Sequence, residues 1–275
     1  MHLLKRLSTL LALGLMLALI GCSSLTLAYN QMPLLGGLWM DSYLDLDSAQ
    51  RGRLKDGLRA WQAWHRRDEL PQWQALLRQA GAALDDGIVT ADELLALERA
   101  ARASLERCLQ QAAPLAAPLL AELRPEQWRH LQRKMDEKTT EWHEQLSGRG
   151  GAAERAKRYT TSLERWLGDL DRSTRRQARD DAERWPFDLA AMAQGRATRQ
   201  ARTLEGLHAW ARHDLAGGTA AFMHNLQTQP AEQPYRDQVT ASLLQLLNGM
   251  DARQHQQVRR HWADLSAELH RLQTR

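Results

Sequence analysis

The sequence predicts an all-α fold, a multi-helix bundle, and three observations support this prediction. Apolar residues recur at alternating intervals of about three and four, which places them on one face of a helix. The last segment shows this spacing most clearly, at Val258, Trp262, Leu265, Leu269 and Leu272. Breaks rich in glycine and proline divide the chain into segments of helical length. Alternating patterns that would indicate strands are nearly missing.

The chain begins with the three parts of a secretory signal. A basic start is followed by an apolar stretch of fourteen residues, Leu7 to Ile20, and then by small residues. A helix that crosses a bilayer needs about 20 apolar residues, so this stretch is too short for a membrane span. We therefore assign residues 1–21 to a signal peptide that is removed.

The end of this signal, Leu19-Ile20-Gly21-Cys22, resembles a bacterial lipobox. The resemblance implies that Cys22 carries lipid and that the mature chain is residues 22–275. Each buried CH₂ of an acyl chain contributes about 0.8 kcal/mol, so several chains on one residue form a stable anchor. The alternative is an ordinary signal, with Cys22 left as a free thiol. The residue after the cysteine is Ser23, which resembles the residue at this position in lipoproteins that are transferred to the outer membrane. The resemblance implies that the protein occupies the inner leaflet of that membrane and faces the periplasm.

The charge balance of the chain gives no indication of a nucleic-acid partner. The chain has 37 Lys and Arg against 33 Asp and Glu, and two of the basic residues, Lys5 and Arg6, belong to the signal. The mature chain is therefore nearly neutral, although its arginines could still bind an anionic envelope component. Export also separates the protein from nucleic acid.

Residues 22–45 join the predicted anchor to the first strongly patterned helix, and they are unusually apolar for a linker. Flexible linkers are polar because they must remain in water. The large side chains that favour burial are Leu34, Leu35, Leu38, Trp39, Met40 and Tyr43. We expect them to pack on the bundle. The alternative is the membrane interface, which Trp and Tyr favour, and either placement keeps the body near the bilayer.

The remaining chain divides into two helical units, residues 46–148 and 149–275, which we interpret as an internal duplication. Residues 45–61, DLDSAQRGRLKDGLRAW, agree without a gap at six positions with residues 169–185, DLDRSTRRQARDDAERW. Helix-start signals recur as well. Asp47 with Gln50, and Asp251 with Gln254, have the spacing of a capping box.

A candidate binding patch follows in the first unit, at Trp64, His65, Arg66 and Arg67. An aromatic ring beside guanidinium groups could stack on a sugar or bind an anionic head group. The alternative is a helix–helix contact in which the stems of the arginines cover the tryptophan.

Three stretches resemble the signature of an uncharacterised family of proteobacterial lipoproteins, with a DUF6279-like domain of unknown function: LxxxGCSSLxLxYNQxPxL, WMDSYLDLDxxQ and AWHRRxELPxW. The resemblance implies lipidation of Cys22 and a helical body, and it supplies no activity. The chain departs from the family pattern at Trp73 and Arg124. The matching positions include the candidate partner-binding residues Tyr29, Asn30, Asp45, Asp47, Trp64, His65, Arg66 and Arg67.

We predict no catalytic residue, no cofactor and no metal ligand. The pairs His208 with His213 and His255 with His261 lack the spacing of metal ligands on one helix face. The chain has no glycine-rich phosphate loop and no GxSxG elbow. Cys108 falls on an apolar helix face, which predicts a buried and unreactive thiol.

Three hypotheses about function follow from these features. The leading one is a non-enzymatic binding or scaffold protein of the cell envelope, held by its lipid anchor and in contact with an envelope protein or an anionic component. The second is a chaperone-like periplasmic client binder, which needs exposed apolar helix faces. The third is a peptidoglycan- or glycan-processing enzyme, which needs two carboxylates facing each other across a groove.

Overall fold

The computed structural model describes residues 23–85 and 87–274, and these residues form helices with no strand among them. The prediction of an all-α, multi-helix fold is confirmed. The predicted signal peptide and the predicted lipidation site, Cys22, lie outside the described residues. A π-helical turn at His65–Glu69 joins α3 to α4, and a 3₁₀ turn at Pro230–Glu232 precedes α11. The α-helices are α1 (Ser23–Asn30), α2 (Met32–Leu44), α3 (Ser48–Trp64), α4 (Leu70–Ala82), α5 (Ala91–Ala121), α6 (Pro125–Leu146), α7 (Gly151–Leu167), α8 (Arg172–Arg184), α9 (Leu189–Ala211), α10 (Leu215–His224), α11 (Gln233–Asn248) and α12 (Ala252–Gln273).

The helix starts follow the capping chemistry that the sequence predicts. The Asp47 side chain accepts a hydrogen bond from the backbone N–H of Gln50, and the Gln50 side chain accepts one from Asp47 N–H, which completes a capping box at α3. Asp251 and Gln254 form the same box at α12. These caps satisfy backbone N–H groups that have no partner within the helix.

The helices of the two halves pack against one another. The last helix, α12, lies along α4, and α9 packs on α5 and α6. One core cluster combines Leu84 and Val89 with Leu247 and Val258, and a second cluster packs Trp210 with residues of α5. Each cluster therefore draws side chains from both sides of residue 148, although the proposed boundary itself stays a prediction.

Helix α2 differs from the expectation for its apolar residues. Leu34, Leu35, Leu38 and Trp39 are exposed, with 54 to 61 % of their surface accessible, so the prediction that they pack on the bundle is wrong for these four. Only Met40 and Tyr43 of the predicted set are half-buried. The reason is geometric. Residues 32–40 of this helix are apolar on every side, but only the face opposite the exposed residues rests on the bundle, where Gly36 and Gly37 lie against Leu58 of α3.

Candidate functional site

The candidate patch lies on the π-helical turn at His65–Glu69. The turn closes with a hydrogen bond from Leu70 N–H to the carbonyl of His65, five residues earlier. Proline at position 71 has no N–H to donate to the carbonyl of Arg67, so a regular helical ladder could not continue through this point. Single π-turns inside helical segments occur frequently at functional sites.

Glu69 fixes the turn to helix α5. Its side chain is only 1 % exposed and accepts a hydrogen bond of 2.7 Å from the Ser104 hydroxyl. Arg107 donates through Nη2 at 3.1 Å and also through Nε, and the bond to Glu69 raises the pKa of Arg107. A buried carboxylate is costly unless it is paired and hydrogen-bonded, and these contacts satisfy that requirement.

Tyr29 of α1 contacts the first residue of the turn. Its hydroxyl and Nδ1 of His65 share a hydrogen bond of 3.0 Å, and the His65 ring stacks on Trp61 at a centroid distance of 4.7 Å. Gln62 adds a bond from its Nε2 to the carbonyl of Tyr29. Burial raises the pKa of Tyr29 and lowers the pKa of His65, an effect that the charge of Glu69 opposes at the histidine. Both rings are therefore neutral near pH 7.

Arg66 makes the second connection to α1. Its Nη2 donates to the Asn30 side-chain oxygen at 2.9 Å, and its guanidinium carbon lies 5.6 Å from the centroid of the Tyr29 ring. Its Nε is buried and has no hydrogen-bond partner among the described residues. The structure thus brings four predicted residues together, and this group, Tyr29, Asn30, His65 and Arg66, is called the α1 clamp below.

The other predicted residues do not all join the clamp. Trp64 is half-buried, with its ring 6.2 Å from that of Trp61. Arg67 is exposed and pairs with the neighbouring Asp68 at 2.6 Å. Asp45 and Asp47 lie at the opposite end of α3, a helix of 17 residues that is about 25 Å long. The predicted residues therefore lie in two separate places, one at each end of α3.

A buried amide pair supports the Asp45 and Asp47 end. Gln127 donates to the carbonyl of Asp45 at 2.8 Å and to the side-chain oxygen of Gln50 at 2.7 Å. Arg124 donates to the Asp47 carboxylate at 3.1 Å. These contacts explain Asp47 as a cap and ion-pair partner. The sequence identifies Gln50 as a capping residue, but it gives no signal that Gln127 reaches it.

Two grooves provide a test of the geometry that a glycan hydrolase needs. Helices α5 and α10 border a groove of about 720 Å³ whose carboxylate is Glu106. Helices α4 and α12 border another of about 610 Å³, where Asp85 is paired with Arg259 at 2.6 Å. Neither groove presents the two facing carboxylates that the hydrolase hypothesis requires. Within the part of the chain that the structure describes, no three His, Cys, Asp or Glu side chains gather in a metal-binding group.

Comparison with protein families identifies the family of this chain. A family model described as a family of unknown function, DUF6279, matches residues 42–231, which is more than half of the chain. The chain belongs to this family. The DUF6279 match includes Asp45, Asp47 and the π-turn residues, and it confirms the resemblance found in the sequence. No curated protein and no solved structure matches the chain.

Proposed function

We propose that residues 22–275 form a lipid-anchored protein of the bacterial cell envelope, located at the outer membrane and facing the periplasm, that acts by binding rather than by catalysis. One observation carries this proposal. The lipobox residue Cys22 directly precedes α1, and the α1 clamp bonds α1 to the π-turn. An acyl anchor at Cys22 would therefore hold the π-turn close to the bilayer, with no flexible tether between them.

The chemistry of the π-turn favours an anionic group on the partner. Arg66 is bonded to the neutral side chain of Asn30, and no carboxylate among the described residues pairs with it. Arg67 is exposed beside it, and its charge is partly balanced by Asp68. Guanidinium groups recognise carboxylates and phosphates through paired hydrogen bonds. We assign this surface to an envelope protein or an anionic envelope component.

The anchor is tested by counting thiols in the purified mature chain. The sequence contains two cysteines, Cys22 and Cys108. A lipidated Cys22 is a thioether, so the denatured chain should show a single reactive thiol, and its intact mass should correspond to an acylated chain that begins at Cys22. A Cys22→Ser variant should not be acylated and should retain its uncleaved signal peptide. Two reactive thiols in the mature wild-type chain would refute the anchor.

The binding role is tested by photo-crosslinking in intact cells. A crosslinking amino acid replaces Arg67, whose side chain is 73 % exposed, and the matched control replaces Arg184 on α8, which is 72 % exposed. We expect an adduct of defined mass from position 67 that position 184 does not give. If the protein in the membrane fraction is fully acylated and positions 64 to 67 still give no adduct, binding at this surface is contradicted.

A further inference from the structure

Helices α1 and α2 carry an apolar surface that the folded chain does not cover. Residues 23–40 contain no charged side chain, and no residue of α2 is buried. A helix that is apolar on all sides is normally enclosed by protein or by lipid. Here the bundle encloses only the side that carries Gly36 and Gly37.

The uncovered apolar residues of α2 lie on one side of the helix. The exposed large apolar side chains of α2 are Leu34, Leu35, Leu38 and Trp39, whose spacing of about three to four residues places them in one stripe that ends at the exposed Ser42. Leu27 of α1 is also exposed. These five are the majority of the nine large apolar side chains that are exposed among the described residues. Single exposed apolar residues are ordinary, whereas a concentrated group marks a contact surface.

We propose that this face, called the α2 face, lies in the headgroup region of the same bilayer that holds the anchor. The inference rests on the proposed lipidation of Cys22. Leu27 lies five positions after Cys22, and five residues of chain span at most about 18 Å in any conformation. An acylated Cys22 therefore brings lipid within reach of the α2 face. Covering this face then requires no partner other than the bilayer that already holds the anchor.

The dimensions of α2 fit a position on the bilayer rather than across it. The helix has 13 residues, a length of about 20 Å against a hydrocarbon core of about 30 Å. None of the described helices is long and apolar enough to cross a membrane. Trp39 packs on Tyr43 at a centroid distance of 4.9 Å, and such amphipathic rings are enriched at membrane interfaces. The first charged residue after Cys22 is Asp41 in the last turn of α2, and its carboxylate accepts a hydrogen bond of 2.9 Å from Leu46 N–H.

The experiment measures the depth of Trp39 in vesicles. The full mature, acylated chain is reconstituted in phosphatidylethanolamine and phosphatidylglycerol vesicles that contain brominated acyl chains, which quench tryptophan only within the bilayer. Trp39→Phe is compared with Trp166→Phe, because Trp166 is the other strongly exposed tryptophan, 49 % accessible, and lies on α7. We expect most of the quenching to disappear with Trp39→Phe and to remain with Trp166→Phe. Both changes retain an aromatic ring at an exposed position, so the fold should survive them.

The outcomes separate the inference from the anchor. An acylated chain in which Trp39 is open to aqueous acrylamide and unaffected by bromine would refute the lipid contact and leave the anchor intact. A mature chain without acyl groups that remains in the aqueous fraction would refute both. Protection of Trp39 without lipid would also overturn the inference. If that protection rises with protein concentration, the face binds a second copy. If it requires an unfolded client, the face serves a chaperone.

Discussion

The clearest stability prediction concerns Gln127→Ala at the start of α6. The Gln127 side chain is 1 % exposed, and its amide joins three groups: the carbonyl of Asp45, the side chain of Gln50 and, as acceptor, the backbone N–H of Arg124 at 3.0 Å. Truncation removes these bonds and leaves Gln50, which is 2 % exposed, with fewer partners. The polar groups of Asp45 and Arg124 belong to exposed residues and can recruit water.

The magnitude follows from this count. A net hydrogen bond contributes about 1 kcal/mol, and a buried polar group left unpaired costs about 1–3 kcal/mol. Gln50 retains a hydrogen bond to the carbonyl of Glu122 at 3.3 Å, so the cost of leaving its amide partly unpaired lies toward the lower end of that range. We expect a loss of roughly 2–3 kcal/mol in the free energy of unfolding, which lowers Tm by roughly 5–10 °C for a chain of this size.

Urea unfolding followed by circular dichroism measures this loss, and Gln254→Ala is the matched control. Gln254 occupies the same place at the start of α12, where it donates to Asp171 and, at 3.0 Å, to Thr174. Its site is more exposed, so water can replace the lost contacts and the expected loss is about 1 kcal/mol. Equal losses in the two variants, or a loss below about 1 kcal/mol in Gln127→Ala, would show that the buried amide pair does not stabilise the fold as reasoned.

Three further predictions concern the π-turn. Burial lowers the pKa of His65 below its ordinary 6.5, so the unfolded chain binds this proton at a higher pH than the folded chain does. The contribution of His65 to stability is therefore full above about pH 6.5 and declines as the pH falls below that value. His65→Gln should remove the decline that is due to this residue, as measured by urea titrations from about pH 7.5 to 5.5. Tyr29→Phe deletes one half-buried hydrogen bond and should cost about 1 kcal/mol in the same assay, and no change would mean that the bond does not secure α1. Burial, aided by Glu69, raises the pKa of Cys108 to about 11, so the native thiol should react with a disulfide reagent far more slowly than the unfolded one. Glu69→Gln should accelerate the native reaction, and an unchanged rate would contradict the electrostatic contribution.

Local signals in the sequence were sufficient for the fold class and for several helix starts. Capping boxes at Asp47 and Asp251 depend on residues only three positions apart, so the sequence contains all the required information. The same is true of the helical periodicity of α12, where Val258 and Leu272 are buried.

Contacts between distant segments could not be predicted in this way. Tyr29 and His65 lie 36 residues apart, and Glu69 depends on Ser104, 35 residues later. Proline at position 71 marks an irregularity, but whether it produces a kink, a break or a π-turn depends on these tertiary partners. The exposure of Leu38 and Trp39 illustrates a different limit. Composition shows that these residues avoid water, and it does not show whether protein or lipid covers them.

The structure adds an observation that bears on the proposed duplication. Gln50 and Thr174 lie 124 residues apart, and Gln127 and Gln254 lie 127 residues apart. Gln127 donates to Gln50 at 2.7 Å, and Gln254 donates to Thr174 at 3.0 Å. Each half therefore pairs its two helix starts through side chains at corresponding positions.

The backbone carbonyls that accept from the second helix of each pair also correspond, although their donors do not. The carbonyl of Asp45 accepts from Gln127 at 2.8 Å, and the carbonyl of Asp169, 124 residues later, accepts at 2.9 Å from Gln257 of α12, which lies three residues beyond Gln254. Helix-start chemistry that recurs by chance explains caps within single helices, because those bonds are local. It does not explain why the same two starts meet in each half. We therefore keep the duplication as a hypothesis. Sequences of other family members test it. If their segments equivalent to residues 45–61 and 169–185 resemble each other no better than unrelated helix starts do, the duplication is contradicted. If it holds, α2 corresponds to α7, and the exposed face of α2 was gained or retained only in the half that follows Cys22.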